Sequence, residues 1–251
     1  MQLTILGSGV CAVTRERSCS SYYLEAGGLR ILLDIGFGSM RRMAEAGIFY
    51  NDIDAVVCSH LHLDHVGDLA PLIMALHYTP GLKRQKPLTL IGPKNFRAFL
   101  TGCRDLYGDW LLDESEFPLL IHALDAEQIS LGRCIIRAAP MKHTPHSNGY
   151  RIECEGRVLA YSGDTGFCNE LVTLCRNADL ALIECSNPDE QPFEFHLTPS
   201  EAALAAERAE VKHLVLTHFY PPEDVQKREA AAAAVYHGRI STAEDFKKLI
   251  V

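Results

Sequence analysis

The stretch Val57-Cys58-Ser59-His60-Leu61-His62-Leu63-Asp64-His65 constrains this chain more than any other. A β-branched apolar run, Ala55-Val56-Val57, ends at once in three imidazoles and a carboxylate within six residues. Buried groups of this kind must be paired or coordinated, because uncompensated desolvation of each costs several kcal/mol. His60 and His62 alternate along the chain and can face one way, while Asp64 and His65 turn toward a neighbouring position. One short motif can therefore serve two metal ions, provided the fold brings further donors to it. His143, Asp164 and His218 qualify, each standing just after an apolar run. A carboxylate between two such ions can bridge them, and a pair about 3.5 to 4 Å apart can clamp both oxygens of an in-line displacement.

The pattern around these residues reads as strands alternating with helices. Leu3 to Leu6 is a strand that breaks at Gly7-Ser8-Gly9, and the Gly27-Gly28 turn joins Ser20–Glu25 to Leu29–Asp34 as a hairpin. Helices are expected over 40–46, 68–77, 93–107, 169–176, 199–209 and 229–235, with strands over 88–92, 118–124, 134–141, 150–153, 158–162, 180–183 and 214–216. Thr198-Pro199-Ser200-Glu201 opens its helix with a capping box and a proline at the first helical position. There is also a weak internal echo. One half offers a strand ending in Asp34 and a later one ending Ser59-His60; the other offers strands ending in Asp164 and in Thr217-His218. Two such halves facing each other would bring their strand ends to one edge, where open α/β sheets place ligands.

Composition narrows the class. With 47% hydrophobic residues in 251, the chain can bury the core of one α/β domain spanning 1–251. A net charge of −8 excludes a broad basic face, so a nucleic-acid substrate would have to be held locally. The nine cysteines are scattered without a C-x-x-C pair and read as reduced thiols, which points to the cytoplasm; Cys11 and Cys58 are expected to be small apolar packers. Neither a leader pattern nor a membrane-length apolar run is present, so no membrane partner is expected.

The H-x-H-x-D-H stretch, with His143, Asp164 and His218 at later ligand positions, resembles the metallo-β-lactamase superfamily, and within it most closely the ribonuclease Z family. Leu6-Gly7-Ser8-Gly9 with Arg17-Ser18-Cys19-Ser20-Ser21 resembles that family's N-terminal segment. His143 with Gly149-Tyr150-Arg151, Tyr161-Ser162-Gly163-Asp164-Thr165 and Leu216-Thr217-His218-Phe219 resemble its later ligand turns, and Glu184 with His196-Leu197-Thr198 its glutamate and His-x-Thr motif.

The resemblance implies a four-layer αβ/βα sandwich of two mixed β-sheets flanked by helices. It implies two divalent ions, zinc first and manganese or iron as alternatives: one on His60, His62 and His143, one on Asp64, His65 and His218, with Asp164 bridging. Asp64 would be a general base toward a metal-bridging hydroxide, and His196, oriented by Glu184, the proton donor to the leaving oxygen. The resemblance also makes a homodimer an expectation. Arg17, Ser20 and His146 are candidate substrate contacts, and Asp34 a partner that hydrogen-bonds the ligand loop.

Four departures separate the chain from that family, one being that the family's basic loop of the pattern Pro-x-Lys-x-Arg-Asn has no counterpart. The long arm that grips tRNA between the third histidine and the bridging aspartate has no counterpart, Ser18 replaces an asparagine, and Phe37 stands where a glutamate is usual. The leading expectation is a dinuclear phosphodiesterase of small-molecule or nucleotide diesters, tRNA being a substrate only if held without the arm. The alternatives are a thioester, lactone or cyclic-nucleotide hydrolase on the same site, or a metal-binding module without turnover.

Overall fold

The computed structural model of the chain describes residues 1–221 and 224–251. Strands β1 (Gln2–Gly7), β2 (Ser21–Ala26), β3 (Leu29–Ile35), β4 (Ala55–Val57), β5 (Leu88–Pro93) and β6 (Leu119–Leu124) lie side by side in one sheet. Strands β7 (Gln128–Leu131), β8 (Cys134–Pro140), β9 (Asn148–Cys154), β10 (Arg157–Tyr161), β11 (Leu180–Glu184), β12 (His213–Thr217) and β13 (Arg239–Thr242) form the other. The last strand, β14 (Lys248–Ile250), crosses back and pairs antiparallel with β1. Helices α1 (Ser39–Glu45), α2 (Leu63–Val66), α3 (Leu69–Tyr78) and α4 (Phe96–Tyr107) accompany the first sheet, and α5 (Asn169–Cys175), α6 (Pro199–Arg208) and α7 (Val225–Ala233) the second.

Strict alternation along the strands produces the layers. In β11, Leu180 and Leu182 enter the core between the sheets, while Ala181 and Ile183 meet the helices outside. In β4, Ala55 and Val57 face the other sheet and Val56 faces α3. Three apolar cores result, one between the sheets and one under each helical layer. Both sheets are mixed, as expected. β3 to β6 run parallel, as do β10 to β13, and antiparallel hairpins complete each sheet.

The Gly27-Gly28 turn joins β2 to β3 with both residues at positive φ, 58° and 84°. The capping box on α6 is present in full, with Thr198 accepting from Glu201 N and Glu201 reaching back to Thr198 N. Two expectations shift. The helix read over 229–235 begins at Val225, because the Asp224 side chain caps it by accepting from Lys227 N. The ligand stretch read as a turn contains a helical turn, α2, which carries Asp64 and His65.

Candidate metal centre

The parallel strands deliver the candidate ligands to one edge. His60 lies three residues beyond β4, Asp164 three beyond β10, and His218 directly beyond β12, while His143 comes from the loop between β8 and β9. The metal-type atoms of His60, His62, His143 and Asp164 lie within 4.8 Å of one another, and so do those of Asp64, His65 and His218. His60 Nε2 and His143 Nε2 stand 3.0 and 3.2 Å from His62 Nδ1. In the second group His65 Nε2 and His218 Nε2 are 3.3 Å apart, with Asp64 Oδ2 at 3.8 Å from each. Asp164 stands between the groups. Its Oδ2 is 3.7 Å from His60 Nε2 and 3.8 Å from His143 Nε2, and its Oδ1 is 3.3 Å from His218 Nε2.

The outer ring nitrogens set the tautomers. Asp34, fully buried at the end of β3, accepts from Ser59 N (2.6 Å), Ser59 Oγ (2.7 Å), His65 Nδ1 (2.6 Å) and the Tyr161 hydroxyl. Having given its proton to Asp34, Ser59 Oγ can only accept from His60 Nδ1 at 3.1 Å. The second sheet repeats the device. Glu184, at the end of β11, accepts from His196 Nδ1 (2.7 Å) and Ser186 Oγ (2.6 Å), and Ser186 Oγ accepts from His218 Nδ1 at 2.8 Å. His143 Nδ1 donates to the Phe195 carbonyl at 3.1 Å.

With their outer nitrogens committed in this way, the inner nitrogens of His60, His65, His143 and His218 would be the lone pairs that meet a cation bound in the cluster. His65 Nε2 and His218 Nε2 face each other at 3.3 Å, and the buried Asp164 Oδ1 has no hydrogen-bond partner. Burial disfavours a charged His65, yet the Asp164 and Asp34 carboxylates hold its imidazole well above the ordinary value. The cluster thus favours positive charge, and its donor set fits a divalent cation in place of that proton. Imidazole and carboxylate oxygen suit zinc, manganese or iron alike.

Burial and neighbouring charge set the ionisation of the remaining groups. Burial holds the His60 imidazole well below its ordinary value, hence neutral. Burial alone would raise Asp64, but the His218 hydrogen bond and the facing imidazoles of His65 and His218 bring it down to about 2. His196 is partly exposed. Burial opposes its protonation, yet the Glu184 hydrogen bond and charge raise it above the usual histidine value.

Backbone conformation supports the site. Asp34 and His218 both adopt positive φ, 55° and 62°, which turns each side chain inward at a strand end at a cost of about 1–3 kcal/mol. Gly36 lets the β3–α1 turn approach α2, since a Cβ there would stand 2.0 Å from the Asp64 carbonyl. The Tyr150 hydroxyl donates to the Cys58 carbonyl (2.8 Å) and Asn148 N to the Ser59 carbonyl (2.9 Å), tying the ligand loop to the opposite sheet.

Not every expected contact is at the site. Arg17 is buried, and its guanidinium donates to Ser8 Oγ and the Ala243 carbonyl while lying over the Phe219 ring. Ser20 is likewise buried, its hydroxyl directed to the Gly9 carbonyl at 3.4 Å. Both lie on the turns that hold β1 against the second sheet, so neither faces a substrate. His146 is exposed beyond His143 and outside the ligand groups. Cys58 is buried as expected, but Cys11 is exposed and its N–H donates to Asp64 Oδ2 at 3.0 Å. The residues that sequence reasoning missed are Ser59, Ser186, Tyr161 and Cys11. Only the two serines, each beside a ligand or carboxylate turn, carried any signal.

Among the described residues β9 and β10 close through a two-residue turn, Glu155-Gly156, between paired Cys154 and Arg157. No arm interrupts the chain there. No helix is long and apolar enough to cross a membrane among the described residues.

Comparison with known proteins follows the same lines. The Beta-lactamase superfamily domain matches residues 29–219. An uncharacterised protein of Mycobacterium leprae is 34% identical over 248 residues, covering 96% of this chain and 85% of the relative. A Ribonuclease Z of Mycobacterium sp. (strain KMS) is 30% identical over 276 positions, covering all of this chain and 96% of the relative. Against a chain of 251, that alignment leaves at least 25 positions of the relative without a counterpart here. Among solved structures, the metallo-beta-lactamase fold protein YhfI from Bacillus subtilis superposes with a TM-score of 0.86 at 20% identity, over 99% of this chain and 98% of that one.

Proposed function

The chain belongs to the beta-lactamase superfamily, and from that premise we propose that it is a dinuclear metal-dependent hydrolase of small phosphodiesters, its residues 1–251 acting as one catalytic domain. The observation that supports this reading is the convergence of seven donors around Asp164, beside His196, whose imidazole is backed by the buried Glu184 carboxylate and also has a ring nitrogen within 4.8 Å of donor atoms of Asp164 and His218. His60, His62 and His143 would hold one ion, Asp64, His65 and His218 the other, and Asp164 would join them. Bound there, two divalent cations supply Lewis acidity, lowering the pKa of water and offsetting charge on phosphoryl oxygens.

The chain's own groups do the rest. Asp64, held by the Cys11 N–H, orients the attacking water and takes its proton. His196 donates from Nε2 to the departing oxygen, while Glu184 fixes its Nδ1–H and steadies the charged ring. The P–O bond to the leaving group breaks as the bond from the attacking oxygen forms, and the leaving alcohol departs with the His196 proton. Zinc is the proposed ion, on an imidazole-rich donor set without thiolate. The tight β9–β10 turn favours a nucleotide or other small diester over tRNA. Unpaired cysteines suit a reducing compartment such as the cytoplasm.

The test is elemental analysis of the purified protein together with turnover of bis(p-nitrophenyl) phosphate, a thioester and a lactone. The expected result is about two metal ions per chain, diester cleavage, and loss of both on chelation. Turnover that survives in fully metal-free protein, or confined to the thioester or lactone, would overturn the reading.

A further inference from the structure

His196 does not stand alone at the mouth of the cleft. The turn that carries it is closed by His196 N donating to the Phe193 carbonyl at 3.1 Å, and the Phe195 carbonyl of the same turn accepts from His143 Nδ1. That turn is tied to the metal centre by its backbone, which leaves its two phenylalanine rings outside. Phe193 is 53% and Phe195 39% exposed, with ring centroids 5.8 Å apart. The Phe193 ring lies nearly parallel to the His196 ring, 6.0 Å away at 26°. Tyr220, 38% exposed, closes the far side, its ring edge-on to His196 at 6.4 Å and to His218 at 6.2 Å. Three large aromatic rings thus remain open to solvent around the imidazole proposed to protonate the leaving group.

The charges nearby are of a different kind. Lys142, the basic residue on the neighbouring loop, is paired with Glu194 at 3.2 Å. Arg228, behind Tyr220, is buried and donates to the Cys185 and Ser186 carbonyls. Among the described residues, this rim offers aromatic faces and no cluster of basic side chains. A polynucleotide held by its phosphates needs the reverse, and its affinity falls steeply with salt. A single planar ring needs only a face to stack on, and base–aromatic stacking is worth about 1–3 kcal/mol per base.

We propose that Phe193, Phe195 and Tyr220 form a stacking subsite for a nucleobase on the leaving-group side of the cleft, making a nucleoside the departing half of the diester. The inference rests on the hydrolase reading for the place of the phosphate, and it adds which half of the substrate is recognised and by what contact. The leaving oxygen then lies at His196 because the base beyond it is stacked. Specificity comes from ring area and is insensitive to the order of bases.

Binding titrations on the metal-loaded protein test this without turnover. Adenosine 5′-monophosphate is expected to bind about tenfold or more tighter than methyl phosphate, which carries the same headgroup without a ring. Phe193→Ala and Tyr220→Ala should each cut that preference by about threefold or more, Tyr220→Phe should keep it, and circular dichroism should show all three variants folded. Adenosine monophosphate affinity should change little between low and physiological salt, unlike that of a basic groove. Equal affinity for the two phosphates, a preference unmoved by Phe193→Ala and Tyr220→Ala together, or tighter and steeply salt-dependent binding of a single-stranded RNA 20-mer would each overturn the proposal. The two readings fail separately. A protein that prefers adenosine monophosphate but cleaves no diester loses the hydrolase reading alone, and one that cleaves diesters without the preference loses the stacking subsite.

Discussion

The two halves of the molecule contain the same small device. In the first, Asp34 takes one imidazole directly, His65, and a second through a serine, Ser59 to His60. In the second, Glu184 takes His196 directly and His218 through Ser186. Both carboxylates are buried at the ends of parallel strands, and both serines are fully buried or nearly so. The difference lies in the directly bound ring. His65 is wholly buried and points its Nε2 into the group it forms with Asp64 and His218, whereas His196 is partly exposed at the cleft mouth and groups only with Asp164 and His218. On the proposed reading, the one arrangement serves two metal ligands in the first half, and one ligand plus one proton donor in the second. Carboxylate, serine and histidine do not by themselves select the role; the depth of the ring does, because only a ring near solvent can reach a substrate and exchange protons.

Removing Asp164, the carboxylate proposed to join the two groups, should have the largest effect. Asp164→Ala is expected to lower diester turnover by at least about a thousandfold and to cut bound metal, measured by elemental analysis. Full metal content in that variant would mean that Asp164 joins nothing. His196→Gln separates the halves. It should reduce turnover by about a hundredfold or more with metal content unchanged, and loss of metal would place His196 among the ligands.

Changing the two carboxylates one at a time sharpens the contrast further. Asp34→Asn should weaken metal affinity by about 10–100-fold through His60 and His65. Glu184→Gln should act on His218 in the same way and in addition alter the pH profile. A general acid works only while protonated, and Glu184 raises His196 above its ordinary value, so activity should fall as pH rises through that value. Without the carboxylate the alkaline limb of kcat should move to lower pH, a shift Asp34→Asn should not produce. Coincident profiles for the two variants would remove the distinction between the halves.

The smallest effect lies on β12 away from both devices. Burial, with Arg239 and Lys247 nearby, brings His213 down to about 4. The unfolded chain then binds the extra proton below about pH 6.5, so stability is present above that pH and is lost as pH falls toward 4. Urea unfolding of wild type and His213→Gln between pH 7 and 5 should show the wild type losing more; parallel curves would show that His213 does not titrate in this range.

How much could be read in advance followed the range of the interactions. The seven metal-type residues, the α6 boundary and the supporting role of Asp34 were legible because each rests on local pattern: an apolar run that stops at a ligand, a capping box, a carboxylate at a strand end. Strands β7, β13 and β14 were not, being three or four residues long and held by pairing with distant chain, as β14 is by β1. Arg17 and Ser20 looked like phosphate contacts beside a glycine turn, yet Ser8 and Ala243, the latter 226 residues away, draw the guanidinium inward. Cys11 read as an apolar packer and stands exposed at the metal cleft. The sequence by itself determined the donor chemistry, because residue type fixes what an imidazole or carboxylate can bind. Only the tertiary structure decided which imidazole is buried in the donor cluster and which is left at the mouth among aromatic rings, because burial and tautomer depend on partners that meet only when the two sheets close face to face.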